Sequence, residues 1–147
     1  MKRLIIFFII LVGLACVYFI FSRQSFVHLT LPNSAVIKAK VVLTMREREA
    51  GLAGLKEMNG FDAMLFVQDT QQKVAFWMHG MLFPLDIIYL DENKIVEQMF
   101  FDKQPCVNQC ENLFSFSDKI KYVIELKSGD IEKNKLKIGD KIIWAGY

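Results

Sequence analysis

The chain has 147 residues, enough for one domain and a tail but not for two domains. Hydrophobic residues make up 53% of it, a share inflated by one terminal run, and the formal net charge is +2. Lys2 and Arg3 account for that excess, so the remainder is formally neutral; with no basic stripe in it, a nucleic-acid partner is excluded.

Leu4 to Phe21 carries no charge. As a helix it would span roughly 27 Å, near the thickness of a bilayer core. Lys2 and Arg3 before it place residues 1–3 in the cytoplasm, so residues 4–21 are expected to be a single-pass signal anchor with the rest in the periplasm or outside the cell. Two alternatives stand beside the anchor. Cleavage and secretion would want a shorter apolar core and a small-x-small site, which Phe19-Ile20-Phe21-Ser22 does not offer. Lipidation is suggested by Gly13-Leu14-Ala15-Cys16, but apolar residues follow Cys16 where a tether would turn polar.

Residues 22–33 read as a tether and a leading edge strand, Phe26 to Leu31, ended by Pro32-Asn33-Ser34. His28, within that strand, is assigned no role. Val36 to Leu43 alternates Ile37, Ala39, Val41 and Leu43 with Lys38 and Lys40, a half-exposed strand. Thr44-Met45-Arg46-Glu47 has the spacing of a capping box and predicts a helix from Met45 to about Leu52. Ala63 to Val67 reads as a short buried strand and Gln68 to Lys73 as a polar turn.

The central stretch, Val74 to Leu90, holds four aromatics and only two ionisable side chains, His79 and Asp86. It predicts a hairpin-like unit, apolar on both faces, that lies inside the domain. Asp86 is then a carboxylate in apolar company and must be satisfied by hydrogen bonds or a counter-charge. Lys94 to Phe101 predicts the next strand, residues 102–119 a polar loop, and Lys121 to Lys127 a strand with Val123 and Glu125 on one face. A short helix from Ser128 to about Leu136 and a closing strand from Lys141 to Trp144 complete the chain. Six or seven short strands with two minor helices argue a mainly β domain, a sandwich or a closed barrel-like sheet.

Phe76-Trp77-Met78, Pro84-Leu85-Asp86, Glu125 with Gly129, and Gly139-Asp140 resemble the DUF192 family of uncharacterised proteins, as do Arg48-x-x-Gly51-Leu52 and Met64-Leu65-Phe66. The likeness covers residues 34–147 and implies a compact β domain of the jelly-roll or sandwich sort, often exported, with no established activity. The chain departs from the family where Lys-Asn-Thr usually follows Trp-Met: here stand His79, Gly80 and Met81. Leu55 occupies a position that is usually basic. Both departures put any polar site there in question. Relatives that are exported also carry paired-cysteine loops.

Each motif has a plain reading beside the functional one. Asp86 with His79 would make a base and its partner, whereas Asp86 alone would lock its hairpin by accepting amides of the Gly80–Pro84 turn. Glu125 with Asp86 would make a two-carboxylate site; more often such an acid pairs with a nearby Lys or Arg. Cys106 and Cys110 lie where thiols oxidise and are expected to form a disulfide; a redox enzyme would want two intervening residues at a helix start, and here there are three in a polar loop. Trp77, Met78, Met81 and Phe83 would line an apolar pocket or simply fill the core. The favoured expectation is a membrane-anchored binding or accessory module with Trp77, Met78, His79 and Asp86 at its ligand-facing end. A hydrolase using Asp86 with His79 or Glu125, and a thiol-redox protein using Cys106 and Cys110, are the alternatives. No metal site or cofactor is called for, and the ligand or protein partner is unspecified.

Overall fold

The computed structural model describes residues 26–146. The anchor expected at residues 4–21, its Cys16 and the start of the tether lie outside the described residues; among those described, no helix is long and apolar enough to cross a membrane. The elements in chain order are β1 (Phe26–Thr30), β2 (Val36–Val42), α1 (Met45–Ala50), β3 (Ala63–Gln72), β4 (Ala75–Phe76), β5 (Leu85–Leu90), β6 (Val96–Lys103), β7 (Leu113–Phe114), β8 (Ile120–Lys127) and α2 (Asp130–Lys133).

Six strands form one mixed sheet in the order β1-β2-β3-β8-β5-β6, and β4 pairs with β7 in a separate two-stranded ribbon. Only β2 and β3 run parallel. A parallel pair needs a crossover, and the segment between Val42 and Ala63, which carries α1, supplies it. The capping box forms as read: the Thr44 hydroxyl accepts from the Glu47 amide while the Glu47 carboxylate accepts from the Thr44 amide. These bonds hold the Glu47 carboxyl below its ordinary value.

The central strands are apolar on both sides because both sides are covered. One face carries Ala39, Val41, Leu65, Ile124, Ile88 and Leu90, sealed by Ile131, Leu136, Ile142 and Trp144. The opposite face carries Met64, Phe66, Val123, Ile87 and Tyr89, roofed by Leu52, Met58, Val74, Met78, Met81 and Leu113. Two cores thus share one sheet.

Three expectations are met only in part or corrected. The chain is mainly β, as one mixed six-stranded sheet with a separate two-stranded ribbon, and no continuous strand ladder joins β1 to β6 at the ends of the order. The expected closing strand survives as isolated bridges, Ile143 to Thr30 and Lys141 to Ile95, which tie the two edges at one end. Next, the central stretch is no hairpin. Both edges of β5 are taken, by β6 and β8, so β4 has nowhere to pair on it and turns to β7 instead. Finally, β3 runs through Gln68 to Gln72 rather than turning there; its register against β8 slips between Val67 and Gln72, and Gln68 is buried.

Candidate functional site

Asp86 and Glu125 sit on adjacent strands and point to opposite faces. In the β5–β8 ladder Asp86 lies opposite Leu126, and Ile87 lies opposite Glu125. Successive side chains alternate across a strand, so Asp86 joins the Leu126 and Ile88 face while Glu125 joins Ile87. Across β3, Glu125 is likewise partnered by Met64. The two-carboxylate pair that the sequence suggested is not formed, and Asp86 lies across the sheet from the face on which His79 stands.

Asp86 is fully satisfied. It is 1% exposed; one oxygen accepts the Asp102 amide at 2.9 Å and the other the Ile131 amide at 2.9 Å. These are not the amides of the Gly80–Pro84 turn that the sequence pointed to, because the side chain leaves β5 toward the end of β6 and the start of α2. Gly129 caps α2 with no side-chain hydrogen bond, and Asp86 supplies the missing acceptor from another strand. The residue closes a structural joint.

Glu125 is buried without that satisfaction. It is 5% exposed, and its Oε2 has no hydrogen-bond partner. Burial pushes its carboxyl up to about 8. Burial also raises the Tyr89 phenol on the same face, with the Glu125 charge adding to it. The Tyr89 hydroxyl donates to the Leu113 carbonyl, not to Glu125. Arg48, which lines the same cavity as Glu125, is committed elsewhere. Arg48 donates to the Leu43 and Val67 carbonyls at 2.6 and 2.9 Å and to Asp69 at 3.2 Å.

Glu125 borders a cavity of about 320 Å³. One wall is α1 with Gly51 and Leu52, a second is Phe66 and Gln68 of β3, and a third runs through Val74, Phe76, Trp77, His79 and Met81. A pocket of that size suits a small organic ligand, and its mixture of aromatic walls with two buried polar side chains, Gln68 and Glu125, is the usual composition of such sites. Trp77, 50% exposed, and His79, also exposed, stand on the cavity wall. Met78 is buried in the core and does not line it.

The loop that holds His79 is clipped from two sides. Cys106 and Cys110 are joined in a disulfide, with Cα atoms 5.6 Å apart. The Cys106 amide donates to the Met78 carbonyl at 3.1 Å and the Gly80 amide to the Cys106 carbonyl at 3.2 Å. Gly80 has φ +73°, a left-handed conformation that asparagine also tolerates. The departure from the family pattern at this position is therefore conformationally mild, while the exchange at His79 changes the cavity wall itself.

Sequence reading named Trp77, His79 and Glu125, all of which line the cavity, but centred the site on Asp86, which does not. It missed Phe66, Phe76 and Gln68. The usable signal was the lone acid inside the apolar run Tyr122 to Leu126. Among the described residues no group of three metal-ligating side chains comes together.

Two solved structures share the fold. A protein of unknown function from Novosphingobium aromaticivorans superposes with a TM-score of 0.72 at 24% identity, over 82% of this chain and 85% of its own. A candidate transcription regulator from Sinorhizobium meliloti superposes with a TM-score of 0.70 at 21% identity, over 85% of this chain and 96% of its own. No curated protein matches. The family model of DUF192, described as Uncharacterized ACR, matches residues 27–144, and the chain belongs to that family.

Proposed function

We propose that the chain is a binding module that takes a small ligand in the cavity over Glu125, and that residues 4–21 hold it at the outer side of a membrane. One observation carries the ligand half: Glu125, a residue of the cavity lining, is a buried acid with a carboxyl oxygen that has no partner. An orphaned buried acceptor costs free energy that a ligand group recovers on binding. The anchor half rests on the uncharged run behind Lys2 and Arg3.

The chain has two tryptophans, and Trp144 belongs to the core on the other face of the sheet. Trp77 fluorescence in a Trp144→Phe variant of the full chain therefore reports on the cavity. Titration with a panel of amines, amides and carboxylates of eight to twelve heavy atoms (sizes set by roughly 300 Å³ pockets) is expected to shift the Trp77 emission for at least one class, and to do so less in Glu125→Gln. No response from any class would refute the cavity as a binding site. Alkaline extraction of membranes should leave the full chain in the pellet; release into the supernatant would refute the anchor.

A further inference from the structure

The chemistry of the cavity narrows what enters it. Its one buried ionisable group is an acid, Glu125, and the acid lacks a partner at Oε2. The Arg48 guanidinium is tied to two carbonyls and Asp69, and the other ionisable side chains of the lining, Glu49, Lys73 and His79, are exposed, so among the described residues of the wall none is a buried, uncommitted cation. Phe66 and Phe76 meet edge to face at 4.9 Å, and Trp77 continues the aromatic wall to the surface. Aromatic side chains and a buried carboxyl in one lining suit a positive nitrogen on an apolar stem, because ring quadrupoles and the acid both attract it.

Resting on the binding reading above, we infer that the cavity recognises an organic cation, a primary ammonium or guanidinium on an aromatic or short aliphatic stem, with its nitrogen on Glu125 and its stem along Phe66, Phe76 and Trp77. The balance of protons follows. Below about pH 8 the carboxyl of the empty cavity holds its proton. Forming the ion pair converts the acid to a carboxylate, so the ligand enters as a cation and close to one proton leaves to solvent. Binding therefore tightens with rising pH, up to about tenfold per unit, until Glu125 is ionised without the ligand.

Titration calorimetry on the full chain in detergent tests this with four probes of one shape: benzylamine and phenylguanidine as cations, benzyl alcohol as the neutral isostere, and benzoate as the anion. Each is measured at pH 6.5 in phosphate and in MOPS, whose different ionisation heats reveal proton release and neither of which carries a primary ammonium or guanidinium. The cations are expected to bind, to release a proton, and to lose at least tenfold in affinity together with that release in Glu125→Gln. Trp77→Ala, at an exposed position, should weaken them a few-fold and leave the proton release intact. Equal or tighter binding of benzyl alcohol or benzoate would overturn the cation inference while leaving the cavity a binding site. Cation binding unchanged by Glu125→Gln would likewise overturn it. Binding by none of the four would overturn both readings.

Discussion

The two faces of the sheet treat a buried carboxylate in opposite ways. On one, Asp86 receives two backbone amides and seals the junction of β5, β6 and α2. On the other, Glu125, a neighbour across the β5–β8 ladder, keeps a buried oxygen without a partner and lines the cavity. Burial is nearly equal, 1% against 5% exposed, so burial alone does not mark a functional group. Satisfaction does: a carboxylate whose acceptors are filled belongs to the fold, and one left wanting is available to a ligand.

Breaking the satisfied face should do the most damage. Asp86→Ala strands the Asp102 and Ile131 amides in the interior, and is expected to cost about 2–4 kcal/mol and lower Tm by roughly 10 °C. Hydrogen exchange at those two amides should accelerate in parallel. A Tm unchanged within a degree or two would place the joint elsewhere.

The same operation on the open face should work in reverse. Folded Glu125 keeps its proton to about pH 8, against an ordinary value of 4.5, so the native state binds the extra proton across that window. Stability is then fully present below about pH 4.5 and falls as pH rises through 8. Glu125→Gln should remove that slope, on the order of 4 kcal/mol between pH 5 and 8.5, and should stabilise the protein at pH 8.5. Denaturant titrations at the two pH values check it, and a slope that persists in the variant would contradict it.

How far these faces can be read from residues alone depends on what the signal is. β1, β2, the α1 capping box, β5 and β8 are legible because alternation and cap chemistry are local. The assignment of Asp86 and Glu125 to opposite faces is not local: it follows from the one-residue offset of the β5–β8 register, which no single strand carries. The hairpin expected at residues 74–90 fails for a related reason, since nothing in β4 reveals that both edges of β5 are already occupied. Gln68 to Gln72 looks like a turn by composition, yet it extends β3 because Ile120 of β8 continues beside it. The cavity itself depends on side chains brought from α1, β3, the 74–81 segment and β8.

Smaller effects sharpen the contrast by loosening only the open face. Reducing the Cys106–Cys110 disulfide removes the closure of a very short loop, and should cost at most about 2 kcal/mol while weakening ligand retention through the Met78–Cys106–Gly80 bonds. Reductant-dependent shifts in Tm and in Trp77 emission read both. Thr44→Ala undoes the cap of α1, one wall of the cavity, and should cost about 1 kcal/mol with no change in exchange at Ile131. An equal loosening of both faces by either change would mean that they are not energetically separate.

The most direct test is the titration of the Glu125 side-chain carboxyl, followed by carbon-13 NMR in protein labelled at glutamate and assigned with Glu125→Gln. A midpoint near 8 is the expected result. A midpoint at the ordinary value of about 4.5 would show the group to be hydrated or paired, and would contradict an unsatisfied acid facing the cavity.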